Sequence, residues 1–394
     1  MAGMSPVPPR LTPSPIRALL ARLREPGMLS FAGGLPDPAL FPGESLAEAA
    51  AAALRDGGCL QYAPSEGDPA LRAWVAGRLR RRGVAAEPDQ VLITNGSQHA
   101  LQVAARLLAG PGAAIALDAP AYPGARQAAE LAGARTVDLE LGADGPGWDP
   151  GRLARAHRRR PLAALITMPT GRNPTGATLS VTARQELAAV LARCGLPAVE
   201  DDAYAELWYD EPPPPALAAY HPATVLTGSF SKILAPGLRL GWLRVPPALA
   251  GDAAVLLQAT CLHANGLAQA TLLRWLAAND LDAHLARVRA CYRARRDHLL
   301  AALHAQGLSC PRPPAGMFCW LPLPAGLAGA AAAAAALAAR VAVVAGGAFH
   351  AGGRPDRHLR LCFATLPPAQ LDQGAERLAA ALAGLRAEGA SHGR

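Results

Sequence analysis

The sequence predicts an α/β protein: a large domain with a mostly parallel sheet covered by helices on both faces, joined to a smaller α+β domain. Three observations predict it. From about residue 90 to 245, apolar β-like runs alternate with amphipathic helical stretches, the pattern of strands buried on both faces. After Pro247 the alternation gives way to long helices and a few strand-like pieces. At 394 residues, 51% of them hydrophobic, the chain can fill two or three domain-sized cores.

Taken in order, the chain begins with a proline-rich arm and a short helix at about Ile16–Arg24. Ser30 to Asp37 contains a glycine pair and a proline, which predict a tight loop with exposed backbone. A helix at Ser45–Arg55 leads to a second loop, Leu60–Gly67. Strands are expected at Gln90–Thr94, Ala113–Asp118, Arg135–Leu139, Leu162–Met168, Pro197–Asp201, Thr224–Ser229 and Leu238–Val245. Helices at Ser97–Leu108, Tyr122–Ala132, Pro150–Arg159 and Thr182–Cys194 separate most of them. Long helices follow at about Pro247–Asn279 and Asp282–Gln306. Strand pieces at Phe318–Leu323, Val341–Val344 and His358–Ala364 precede a final helix from Pro367 to Glu388. The expected division is an arm at 1–45, a large domain at 46–275 and a small domain at 276–394. Leu321–Ala339 carries no charge and is long enough to cross a bilayer, but it is mostly alanine and glycine with Pro322 and Pro324. A soluble alanine-rich helix, and no membrane partner, is the expectation.

The net charge of +8 comes from arginines spread along the chain. The runs Arg78–Arg82 and Arg155–Arg160 read as solvated helix ends rather than a nucleic-acid surface. An anionic cofactor and acidic substrates suit such a protein. Seven cysteines without a Cys-x-x-Cys pair imply reduced thiols, a cytoplasmic setting and no metal site. Met1–Arg24 lacks the apolar stretch of a signal peptide.

The chemistry concentrates at Gly228–Gly241. Lys232 is the single lysine of the chain. A lysine amine can lose its proton and condense with a carbonyl, whereas a guanidinium cannot. Ser229, Ser231 and Arg239, set among glycines, suit a phosphate dianion beside that amine. Aldehyde and phosphate together point to pyridoxal phosphate, although a lone surface lysine in a Gly/Ser-rich turn has the same pattern. Gly96, Ser97 and Gln98 sit where a strand meets a helix, a place for phosphate or for an ordinary N-cap. Asn173-Pro174-Thr175-Gly176 and Glu200-Asp201-Asp202-Ala203-Tyr204 follow predicted strands, where ligands bind in open α/β sheets; a turn and a helix start are the plainer readings. Dinucleotide and P-loop fingerprints are missing from the sequence, so a nicotinamide or ATP enzyme is not expected.

These motifs, in this order, resemble the fold-type-I pyridoxal-phosphate enzymes of aminotransferase class I/II, with an aspartate-aminotransferase-like fold. The likeness is strongest to the subgroup of aminoadipate-type aminotransferases and the effector domains of MocR-type regulators. The resemblance implies that Lys232 forms the Schiff base and moves the proton at the substrate Cα. It implies that Ser97, Gln98, Ser229, Ser231 and Arg239 hold the phosphate, with Gly96 allowing close approach. Tyr122 would stack on the ring, Asp201 would pair with the pyridine nitrogen, and Asn173 and Tyr204 would bond the ring's phenolic oxygen. Tyr62 would reach the neighbouring subunit's phosphate site, which implies a homodimer with shared active sites. Arg360 would clamp the substrate α-carboxylate, and Gly34 and Arg17 would belong to a segment that closes over the substrate. The implied partners are an α-amino acid and a 2-oxo acid.

One departure stands out. Relatives carry an aromatic and a glutamine before Asn-Pro-Thr-Gly; here the run is Pro169-Thr170-Gly171-Arg172. Loss of the ring would enlarge the pocket, and Arg172 would alter substrate choice or bond a second carboxylate; accommodation within the loop is the other reading. The same apparatus also runs elimination, oxidation, cyclisation or decarboxylation in specialised biosynthesis. A ligand-sensing regulator would need a helix-turn-helix segment, for which the short arm before Phe31 leaves no room, so no nucleic-acid partner is expected.

Overall fold

A computed structural model describes residues 25–142 and 147–392. The helix expected at Ile16–Arg24, and Arg17 with it, lie outside the described residues. The chain opens with β1 (Leu29–Ser30), α1 (Gly43–Asp56) and α2 (Pro69–Arg81). The alternating part follows: β2 (Val91–Thr94), α3 (Ser97–Leu108), β3 (Ala114–Asp118), α4 (Pro123–Leu131), β4 (Arg135–Leu139) and α5 (Gly151–Arg159). It continues through β5 (Ala164–Thr167), α6 (Val181–Cys194), β6 (Ala198–Asp201), β7 (Thr224–Ser229) and β8 (Gly241–Arg244). Then come α7 (Ala250–Cys261), α8 (Gly266–Ala278) and α9 (Leu281–Ala305). The chain closes with β9 (Phe318–Pro322), α10 (Gly329–Ala338), β10 (Val341–Ala342), β11 (Val344–Ala345), β12 (His358–Cys362) and α11 (Pro368–His392).

The central sheet has the strand order β2-β8-β7-β6-β5-β3-β4. β8 runs antiparallel to both of its neighbours, β2 and β7. β2 therefore points the same way as the remaining strands, and β8 alone is reversed. Side chains alternate between two cores, as a period of two requires. Ile115 and Leu117 enter one core beneath α3, α4 and α7, while Ala114 and Ala116 enter another beneath α5 and α6. Leu187 and Leu191 of α6 are fully buried in that second core, each worth about 1.5–3 kcal/mol relative to exposure. Ser180 starts α6 by accepting from the Ala183 N–H, and Gly195 ends it in the left-handed conformation.

The C-terminal part builds a separate antiparallel sheet, β11-β12-β9, with α9 and α11 against it. The described part of the arm joins this unit: Leu29 and Ser30 pair with Val341 and Ala342. The Cys362 N–H then bonds Phe31 O at 2.8 Å. Along α9, Leu281, Leu285, Val288, Tyr292, Leu299 and Leu303 recur at helical spacing and are buried.

Several expectations need correction. The helix expected over Pro247–Asn279 is two helices. Leu262 takes a positive φ of 62° and Asn265 caps α8 by accepting from Ala268 N, so the chain turns between them. The strand expected at Val341–Val344 divides between two sheets. Arg78 and Arg82 are not solvated ends: they pair with Glu206 at 2.9 Å and Asp202 at 2.6 Å and are largely covered. Gly33-Gly34 is not an exposed turn, since Gly33 is buried and a Cβ on Gly34 would lie 2.9 Å from Phe318 Cζ. Leu321–Ala339 is a strand end, a loop and the short α10, and among the described residues no helix is long and apolar enough to cross a membrane.

Candidate active site

Strand direction assembles the site. Because β2 to β7 all point one way, the residues at or just past their C-terminal ends share one edge of the sheet. That edge carries Gly96 after β2, Asp118 ending β3, Asn173 after β5, Asp201 ending β6 and Ser229 ending β7. The reversed β8 delivers Arg239 to the same edge from its start. Tyr122, at the head of α4, shares a cavity with Asp118, Met168, Arg172, Asn173 and Asp201.

Lys232 follows β7 and donates its Nζ proton to Gly34 O at 2.8 Å. Burial lowers its amine to about 8, with Arg239 and Arg360 acting in the same direction. An appreciable share of Lys232 is therefore neutral near physiological pH, the form that can attack a carbonyl.

Three consecutive buried residues, Glu200, Asp201 and Asp202, are all acidic. Glu200 accepts the N–H groups of Leu217 and Ala218 at 3.0 Å each and faces Arg184 at 3.7 Å. Asp202 has Arg82 at 2.6 Å. Asp201 Oδ1 is buried with no hydrogen-bond partner among the described residues. Burial, then the neighbouring Asp202 charge, push the Asp201 carboxyl up to about 7. An orphaned carboxylate oxygen facing a cavity fits a cationic ring nitrogen, which would supply the missing charge.

The opposite end of the slot fits a phosphate. No side chain caps α3, whose N-cap Gly96 has φ +86°. A Cβ there would lie 2.5 Å from Arg239 Nη2, so glycine lets the guanidinium cross the helix start. Arg239, at a left-handed φ of 51°, reaches Ser231 Oγ at 3.5 Å and Asn95 O at 3.3 Å. Ser229 Oγ accepts from Ser231 N at 3.1 Å. The Gln98 side chain is turned away toward Gly124 O at 2.8 Å, which ties α3 to the Tyr122 segment.

Arg360, on β12, is buried and donates to Asn173 Oδ1 at 2.8 Å and Ala32 O at 2.5 Å, while its Nε has no partner among the described residues. Burial lowers its guanidinium to about 10. Phe318 lies 4.3 Å from it and Phe349 5.1 Å, so the cation sits between two ring faces. Sequence reasoning missed both rings. Register was the missing signal: Arg360 pairs with Trp320 and Cys362 with Phe318, so Phe318 and Arg360 are diagonal neighbours on one face. Tyr204 is buried edge-on to Phe318.

Arg172 overturns an expectation. Its guanidinium is taken by Asp118, with Nη2–Oδ2 at 2.5 Å and Nη1–Oδ1 at 3.2 Å, and is not free for a substrate carboxylate. Nor does the missing aromatic ring open the pocket: a Cβ on Gly171 would lie 2.9 Å from Gly316 N, so backbone fills that space. Tyr62 is 78% exposed, with its ring 5.8 Å from that of His263. Among the described residues no group of three or more His, Cys, Asp or Glu could hold a metal ion.

An α/β fold with a single lysine, an orphaned aspartate and an arginine at a helix start along one sheet edge defines a pyridoxal-phosphate enzyme of fold type I. The chain matches the model of the family aminotransferase class I and II over residues 32–378, and it belongs to that family. It is 39% identical to the 2-aminoadipate transaminase of Thermus thermophilus over 388 residues, covering 96% of each chain. The crystal structure of an alpha-aminoadipate aminotransferase from Thermus thermophilus, complexed with N-(5'-phosphopyridoxyl)-L-leucine, is 39% identical and superposes with a TM-score of 0.87 over 96% of both chains. The Pyrococcus horikoshii kynurenine aminotransferase is 29% identical, with a TM-score of 0.87 over 95% of each chain. The protein is a pyridoxal-phosphate-dependent aminotransferase.

Proposed function

We propose that this enzyme moves the amino group of an α-amino acid to a 2-oxo acid, with Lys232 as its Schiff-base lysine; the 39% identity to a 2-aminoadipate transaminase supports 2-aminoadipate as a donor. The observation that carries the reading is the convergence of Lys232, the orphaned Asp201 and the buried Arg360 on one slot. Pyridoxal phosphate, when bound, supplies an aldehyde for the amine and a protonated ring that stabilises negative charge at the substrate Cα. Asp201 would hold the ring nitrogen protonated, and Tyr122 would cover one ring face. Asn173 and Tyr204 would bond the ring oxygen; Ser97, the backbone at Gln98, Ser229, Ser231 and Arg239 would hold the phosphate. Arg360 would take the α-carboxylate through its fork, with Asn173 beside it. The neutral Lys232 amine would accept the Cα proton and return it two atoms away, at the cofactor's C4′ beyond the substrate nitrogen.

Exposed Tyr62, Leu60, Val255, Leu54 and Leu262, at 78, 69, 62, 46 and 45%, support a homodimer that covers them. The seven free thiols support a cytoplasmic setting. Separate central and C-terminal sheets support domains at 46–275 and 276–394 after an arm at 1–45, whose Leu29 and Ser30 pair with the latter. The test is a donor screen with 2-aminoadipate, leucine and kynurenine. Stoichiometric bleaching of the visible band, reversed by a 2-oxo acid, is expected. Release of ammonia or peroxide instead would favour elimination or oxidation.

A further inference from the structure

The ion pair between Arg172 and Asp118 lies on the wall of the cofactor slot, and none of the roles assigned above uses it. Asp118 is the last residue of β3, and Tyr122 follows it in the next turn. Arg172 immediately precedes Asn173. The two loops that bear the Tyr122 and Asn173 walls are thus joined by a two-bond ion pair. Thr167, ending β5, donates its hydroxyl to Asp118 Oδ2 at 2.8 Å, and Arg172 Nε reaches Met168 O at 3.4 Å. The side chains of Arg172 and Asp118 are 5% and 0% exposed.

A buried pair of this kind is a poor source of stability, because removing both ions from water offsets most of their attraction. What it does supply is geometry. A planar guanidinium meeting a carboxylate along two parallel bonds fixes distance and angle together, which an apolar contact does not. We propose that Arg172 and Asp118 are positioning residues that preset the gap between Tyr122 and Asn173, so that cofactor enters a slot already at its bound width. The proposal rests on the reading that pyridoxal phosphate occupies this slot. Arg172 thereby acts through Asn173, its guanidinium being held by Asp118.

The test compares wild type with Arg172→Met, Asp118→Asn, the double variant and Arg172→Lys. Three quantities are measured: pyridoxal-phosphate affinity of the stripped protein, thermal stability of that stripped protein, and the pH midpoint of the loaded protein's visible band. Each neutralising single variant is expected to bind cofactor at least about tenfold more weakly and to shift the midpoint. The double variant is expected to lose about as much as the milder single, not the product of the two, because the pair acts as a unit. Arg172→Lys, which keeps the charge without the fork, should restore folding but not the midpoint. Single variants with wild-type affinity and midpoint, whatever their melting temperature, overturn the proposal, as does a multiplicative double. Should the wild-type stripped protein not take up pyridoxal phosphate, the cofactor reading fails and the proposal goes with it.

Discussion

Asp201→Asn should make the cofactor-free protein more stable at alkaline pH and the loaded protein weaker at holding its cofactor. Asp201 Oδ1 is buried without a hydrogen-bond partner among the described residues, and its carboxyl is raised from 3.8 to about 7. At about 1.4 kcal/mol per unit, that shift costs the folded state about 4 kcal/mol once the group is ionised. The cost is absent below pH 3.8, where folded and unfolded chains both hold the proton, and complete above about pH 7, where neither does. Asparagine removes it but leaves its own amide nitrogen short of a partner, a penalty of about 1–3 kcal/mol. The net gain at pH 8 is then about 1–3 kcal/mol. For 394 residues this is a rise of roughly 1–4 °C in melting temperature. The gain shrinks by about 1.4 kcal/mol per unit as pH falls and changes sign near pH 5 to 6. Cofactor reverses the ranking, because loss of the charged bond to the ring nitrogen weakens binding roughly ten- to hundredfold. Calorimetry of both proteins, stripped and loaded, from pH 5 to 8 reads all of this. A stability difference that stays flat across that range, or that favours wild type more at pH 8 than at pH 5, refutes the reasoning.

Gly96→Ala should weaken cofactor binding at least about tenfold, since its Cβ would meet Arg239 Nη2 at 2.5 Å at a φ of +86°. Unchanged affinity by equilibrium dialysis would remove Arg239 from the phosphate end. Arg360→Lys keeps the charge and loses the fork, so kcat/KM for an α-amino acid should fall roughly ten- to hundredfold while cofactor affinity holds. Steady-state kinetics with and without the substrate carboxylate decide it, since a carboxylate-free amine should be indifferent to the change. Gly67→Ala places a Cβ 2.5 Å from Ile93 Cγ1 at φ +98° and should destabilise by about 2–4 kcal/mol. Urea unfolding with a loss below about 1 kcal/mol would show that β2 yields easily.

The central sheet was legible because its strands are short apolar runs closed by residues that cannot stay in a strand. Thr224–Ser229 and Arg135–Leu139 match the sequence reading residue for residue, and the others differ only at their ends. The break at Leu262 was not, because no glycine or proline marks it and a leucine at positive φ depends on what packs around it. In the site, chemistry that one residue type alone can perform was visible: one lysine, one carboxylate after a strand, one arginine before β8. Chemistry that depends on pairing was not. Asp118 lies 54 residues from Arg172, and Arg82 lies 120 from Asp202, and only the strand order brings each pair together.

The run Glu200-Asp201-Asp202 shows why the legible residue and the illegible ones depend on each other. Three adjacent buried carboxylates cannot all be ionised unless each meets a cation or several N–H groups. Arg184 with two backbone donors serves the first, and Arg82 serves the third. Asp201 and Asp202 each keep an Oδ1 without a hydrogen-bond partner among the described residues, and of the two only Asp201 lines the cavity of Tyr122 and Asn173, where a ligand would meet it. The outer pairs also set its charge: without Arg82, the Asp202 anion would repel Asp201 unopposed and hold it protonated, a form that cannot keep a ring nitrogen cationic. Arg82→Ala should therefore weaken pyridoxal-phosphate binding from the far side of the strand, and more at pH 6 than at pH 8, where alkali ionises Asp201 in both proteins. Equal weakening at both pH values would mean that Arg82 only fastens α2 to the sheet, and that Asp201 owes its charge to the ligand alone.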